Sequence, residues 1–105
     1  MKYTKCVVCL FLLLSLNAYA QGGESVYQQT CIACHGEEGK GVMPGVPDFT
    51  AKNSRLKRSD DVLIKNMREG VQSEGSPMAM PAKGGNSNLT DDDLKNVLKY
   101  MRSKF

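Results

Sequence analysis

Four apolar residues near the C-terminus, Leu94, Val97, Leu98 and Met101, fall at i, i+3, i+4 and i+7, so one face of a single helix carries them all. Its start is marked by Thr90 with Asp93 three residues on, a capping box with aspartate in the glutamate position, and Leu89 is placed to staple against Leu94. The stretch "SDDVLIKNMREG" predicts a second helix. Ser59 is its N-cap, Asp60 and Asp61 lie at the positive end of the helix dipole, Val62, Leu63 and Met67 form its apolar side, and Gly70 stops it. "ESVYQQTC" is polar apart from Val26 and Tyr27 and free of breakers, and predicts a helix of about two turns running into Cys31. Nowhere do β-branched residues alternate with polar ones in the manner of a strand.

The segments between these helices have the opposite character. Gly36, Gly39, Gly41, Pro44, Gly45 and Pro47 prevent regular structure over much of 36–54, and 71–88 is a second loop rich in glycine, proline and serine. Loops of that length in a compact domain call for a job, and wrapping a large ligand is one.

The N-terminus obeys different rules. Lys2 and Lys5 precede an apolar run of 11 residues, "CVVCLFLLLSL" from Cys6 to Leu16, which leads to Ala18-Tyr19-Ala20. Basic, apolar and A-x-A segments in that order read as a secretory signal peptide, and the run falls short of the ~20 residues that a membrane-spanning helix needs. The expected division is therefore a signal peptide over 1–20, cleaved after Ala20, and one domain over 21–105, with no membrane span once the signal is removed. Cleavage takes 20 of 105 residues and leaves 85, a size at which a core of side chains alone is marginal. The 14 basic and 11 acidic residues become 12 and 11 without Lys2 and Lys5, a net charge of +1 that gives no reason to expect nucleic acid as a partner.

Of the four cysteines, Cys6 and Cys9 belong to the signal, so Cys31 and Cys34 alone remain in the mature chain. Together the four mimic a zinc ribbon, but the first pair would be removed. Zinc would then have two thiolates and the single histidine, His35, one ligand short of a closed structural site. A thioredoxin-like pair needs a βαβ context that this chain does not offer, and a simple disulfide leaves His35 unexplained. "CIACH" fits a different chemistry, the attachment of one covalent haem c. Two cysteines one helical turn apart reach the two vinyl groups along one edge of a porphyrin and form thioethers, and the adjacent His35 supplies an axial nitrogen to the iron. Haem also supplies the buried apolar mass that the short chain needs.

The sixth position on the iron decides what such a centre does: open, it admits oxygen or peroxide; filled by a methionine thioether, it favours electron transfer. Met67 and Met101 sit on apolar helix faces as core, and Met43 follows His35 by only eight residues, too few to pass to the opposite side easily. Met78 and Met80 in "GSPMAMPAKGG" remain, with Pro81 favouring an extended Met80 and Gly84-Gly85 letting the backbone turn nearby. Spacing alone does not separate these two.

Over almost its whole mature length the chain resembles the class I, or small soluble mono-haem, bacterial cytochromes c. The resemblance rests on Gly23 and Tyr27 ahead of Cys31-Ile32-Ala33-Cys34-His35, "MPAKGG" at 80–85, and a terminal helix carrying Tyr100. It implies an all-α fold of three or more helices, with long loops wrapped around one haem. It implies Met80 as the second axial ligand, with Met78 as the alternative, and packing of the N- and C-terminal helices through Gly23, Tyr27 and Tyr100. It also implies that Pro47, or failing that Pro44, offers the carbonyl that accepts the axial histidine's N–H. The function implied is a periplasmic one-electron carrier, not an enzyme, working as a monomer that docks transiently with redox donors and acceptors. Lys52, Arg55, Lys57, Arg58 and Lys83 are available to steer acidic partners. The rival readings are a haem subunit of a larger oxidoreductase, a weak haem peroxidase, and a ligand sensor, the last of which needs an output domain.

Overall fold

A computed structural model describes residues 20–105. The signal-peptide reading, apart from Ala20, lies outside the described residues.

The first helix is longer than its sequence predicts. α1 (Gly23–Val26) runs directly into a π-helical segment (Tyr27–Cys31) and then α2 (Ile32–His35). Nothing between Cys31 and His35 breaks a helix, and the first stop is Gly36 at φ 83°. Within the π segment the Ile32 N–H donates to the Tyr27 carbonyl, five residues back instead of four. The attachment motif thus rides on the last turns of a continuous helical run.

The other two helices match their signals. α3 (Asp60–Glu69) is capped by Ser59, whose side chain accepts from the Val62 N–H, and ends at Gly70 with φ 83°. Its buried side is Leu63, Ile64 and Met67, whereas Val62, expected on the apolar face, is 44 % exposed. α4 (Asp91–Lys104) begins with a complete capping box between Thr90 and Asp93 and buries Leu94, Val97, Leu98 and Met101. Leu89 and Leu94 are both buried, as the staple requires.

α1 crosses α4 at Gly23. A Cβ there would lie 2.1 Å from the Asn96 carbonyl oxygen and 2.7 Å from Tyr100 Cβ, so only glycine lets the two backbones approach this closely. One turn on, the Tyr27 ring meets Tyr100 at 5.6 Å and Phe105 at 5.5 Å between centroids, and its hydroxyl donates to the Gly36 carbonyl. Burial pushes the Tyr27 phenol up to about 12, with smaller contributions from Cys31 and Tyr100, so it remains a donor at all physiological pH. The helix pairing through a glycine and aromatics implied by the resemblance is present.

Two devices hold the irregular segments in place. Arg102 on α4 donates to the carbonyls of Leu56 (3.1 Å) and Arg58 (2.7 Å) and pairs with Asp60, fixing a short 3-10 turn (Arg55–Lys57) and the start of α3. Val71 and Met80 form an isolated antiparallel bridge with hydrogen bonds of 2.9 and 2.8 Å, which closes the 71–80 loop at its base.

Candidate haem site

Helix ends and loops converge on one cleft, partly open to solvent, bordered by Cys31, Cys34 and His35 on one side and the 78–84 segment on the other. Its walls are mainly apolar, with Phe49, Leu63, Met67, Leu98 and Met101 among them. Met67 and Met101 are therefore both core residues, as expected, and part of the cleft wall.

His35 is buried and its ring stacks on Phe49 with centroids 4.8 Å apart and planes 20° from parallel. Burial lowers its pKa, which favours the neutral imidazole, the form that binds a metal. Its Nδ1 is buried without a hydrogen-bond partner. A buried polar atom left unpaired costs on the order of 1–3 kcal/mol. The hydrogen bond from His35 to Pro47 implied by the resemblance is not formed, although Pro47 and Pro44 both line the same cleft. Cys31 and Cys34 are free, half-buried thiols. Burial, reinforced by the neighbouring Cys34, pushes the Cys31 thiol up to about 11, so it is a protonated thiol at neutral pH.

The loop facing these residues is placed by contacts to both helices that flank it. At Gly70 a Cβ would lie 2.7 Å from the Met80 carbonyl oxygen and 2.9 Å from the Ala82 nitrogen, so the helix stop also admits the methionine segment. Further on, Lys83 and Gly84 adopt left-handed conformations with φ of 54° and 62°. A Cβ on Gly84 would lie 2.8 Å from Thr30 Cγ2, and the Asn86 side-chain amide donates to Thr30 Oγ1 at 3.3 Å. Thr30 immediately precedes Cys31, so the two halves of the site touch directly. Both candidate methionines border the cleft, but they differ in setting. Met80 is half-buried and packs against the core, whereas Met78 is 58 % exposed.

The residues present fit a haem: two thiols one turn apart, a buried neutral histidine beside them, apolar walls, and facing thioethers. Arg55, Arg58 and Asn66 also border the cleft, and their donors suit the carboxylates at a haem's edge. Arg55 and Arg58, expected on a steering surface, are thus partly turned to the site itself. Phe49 carried no sequence signal beyond its place within the 36–54 loop, and Thr30 none at all.

The comparisons agree with this geometry. A family model described as cytochrome C oxidase, cbb3-type, subunit III, matches residues 18–101. This chain belongs to the cytochrome c family. A cytochrome c-555 of Chlorobaculum tepidum is 36 % identical, the match covering 86 % of this chain and 83 % of that protein. A cytochrome c6 of Gracilaria tenuistipitata var. liui is 32 % identical, over 87 % of this chain and 78 % of its own. Among solved structures, the KustC0563 c-type cytochrome superposes with a TM-score of 0.59 at 27 % identity, covering 79 % of this chain and 96 % of its own. This cytochrome accordingly takes one covalent haem c and serves as an electron carrier. Among the described residues no helix is long and apolar enough to cross a membrane.

Proposed function

We propose that this cytochrome is an exported, periplasmic one-electron carrier, processed after Ala20, whose haem iron is held between His35 and Met80. The observation that carries the choice of Met80 is its pinned, half-buried position. Its backbone is bonded in both directions to Val71 beside Gly70, while Met78, two residues away, is largely in solvent.

When bound, the haem supplies an iron that cycles between Fe(III) and Fe(II). The chain's work is positional. Cys31 and Cys34 tether the porphyrin edge, and the stack of His35 on Phe49 holds the imidazole plane. Met67, Leu98 and Met101 form an apolar wall that would keep water from a bound haem, and Arg55 and Arg58, on the border of the same cleft, would supply donors to its carboxylates. Pro47 lines the same cleft as the unpaired His35 Nδ1, and we propose it as the acceptor of that N–H in the haem-loaded protein, a bond not formed in this structure. Lys52, Lys57 and Arg58 are exposed and give partner proteins with acidic surfaces a positive field to approach.

Replacement of Met80 and of Met78 by alanine separates the alternatives. Met80→Ala is expected to abolish the weak sulfur-to-iron absorption band of the ferric protein and lower its potential, with Met78→Ala leaving both nearly intact. The reverse pattern would transfer the ligand role to Met78. A second reading, a haem subunit of a larger oxidoreductase, draws on the oxidase-subunit description of the matching family model. Stoichiometric co-purification with a catalytic chain at native expression would favour it.

A further inference from the structure

Asp93 is 3 % exposed, and each of its two carboxylate oxygens has a defined task. Oδ2 accepts the Thr90 N–H at 2.8 Å and completes the capping box. Oδ1 accepts the Gln21 N–H at 2.7 Å, across 72 positions of sequence. These donors hold the Asp93 carboxyl below the usual carboxylate range, so it is an anion at neutral pH. A capping box needs only the first bond. A buried carboxylate is costly unless a cation pairs with it, and among the described residues no basic side chain bonds to Asp93.

The cation becomes available through processing. We infer that Asp93 is the receptor for the mature N-terminus: cleavage of the Ala20–Gln21 bond turns the Gln21 nitrogen into an α-ammonium group that pairs with the buried carboxylate and pins α1 onto α4. Cleavage is a hydrolysis catalysed by a leader-removing peptidase. Water adds across the peptide bond, Ala20 leaves as a carboxylate, and the Gln21 amine takes up a proton. The inference rests on the reading that the leader is cut after Ala20.

Geometry already readies the site for this product. Asn96 donates from its side chain to the Gln21 carbonyl at 3.0 Å, so both the N–H and the carbonyl of Gln21 are held from α4. A positive terminus two residues ahead of α1 sits at the unfavourable end of the helix dipole, and Asp93 offsets that cost. The other charged groups nearby, Glu24 on α1 and Asp91, Asp92, Lys95 and Lys99 on α4, are all exposed, and none of them bonds to the Gln21 nitrogen. Because the ammonium form is favoured in the folded state, the amine pKa rises. Its contribution to stability is full below the unfolded value of ~7.7–8.0 and is lost as pH rises through the folded value.

The test uses haem-loaded protein exported from the full-length chain. Mass spectrometry of the intact N-terminus comes first, followed by titration of the terminal amine by NMR. The expected result is a free Gln21 amine titrating above ~8.0 and returning to the ordinary range in Asp93→Asn. Because that variant also weakens the capping box, a second variant has one glycine inserted between Ala20 and Gln21. This moves the amine about 3.5 Å along the chain while Asp93 and Thr90 stay intact, and its amine should also titrate ordinarily. A terminus at another residue would refute the leader reading and this inference with it. A terminus at Gln21 with an ordinary pKa, or one cyclised to the uncharged lactam by loss of ammonia, would overturn the ion pair alone.

Discussion

Gly70 offers the sharpest perturbation of the site, because one hydrogen there stands between the end of α3 and the methionine segment. Its backbone, at φ 83° and ψ 170°, lies in a region almost reserved for glycine, and occupation by another residue costs on the order of 1–3 kcal/mol. A Cβ would also press on the Met80 carbonyl oxygen at 2.7 Å and the Ala82 nitrogen at 2.9 Å, backbone atoms that cannot turn aside as a flexible side chain would. Gly70→Ala should therefore displace Met80 from Val71 as well as strain its own turn. Gly75→Ala supplies the control: φ there is 75°, yet nothing lies within 4 Å of the added Cβ, so strain of about 1–2 kcal/mol is its whole cost. Denaturant unfolding of the ferric holoprotein reads the stability, and the sulfur-to-iron band reads the ligand. Gly70→Ala should lose more stability than Gly75→Ala and weaken the band, whereas Gly75→Ala should keep it. Equal stability losses with the band unchanged in both variants would refute the claim that the Gly70 contact positions the ligand.

Further perturbations address the other parts of the site. Cys31→Ala or Cys34→Ala should leave haem on a single thioether, so that a denatured variant gives an altered reduced spectrum and extracts more readily; two intact thioethers in either variant would contradict the assignment. Phe49→Ala removes a buried ring and should cost about 3–5 kcal/mol, with a changed orientation of His35 detectable in the paramagnetic NMR shifts of the oxidised form. At low pH the lowered pKa of Asp93 has a definite sign. Its contribution is present above the unfolded carboxylate value of ~3.9 and is lost as pH falls through the lower folded value, so Asp93→Asn should flatten the acid limb of the stability profile.

Local signals were legible and long-range ones were not. Ser59, Gly70, Thr90 and Asp93 cap helices within a turn of their own positions, and those expected capping roles match the structure, whereas the Gly70–Met80 and Asp93–Gln21 contacts had no sequence signal. "CIACH" announced the cofactor because attachment chemistry is written into adjacent residues. The π segment at Tyr27–Cys31 carries no composition cue, and the helix runs on past Cys31 to His35 because no breaker intervenes before Gly36. The stack of Phe49 on His35 and the bridge between Val71 and Met80 join residues separated by loops whose paths a residue pattern does not encode. The bridge is also what distinguishes Met80 from Met78, which explains why spacing left the two open. On α3, Val62 lay on the expected apolar arc, but the face that packs against the molecule centres on Leu63, Ile64 and Met67.

The most direct test of the central claim is an optical spectrum of the exported protein in both oxidation states, extended into the near infrared. The account predicts sharp reduced bands of a low-spin c-type haem and a sulfur-to-iron band in the oxidised form, lost in Met80→Ala and kept in Met78→Ala. A high-spin spectrum that responds readily to cyanide or carbon monoxide would contradict it and leave His35 as the single axial ligand.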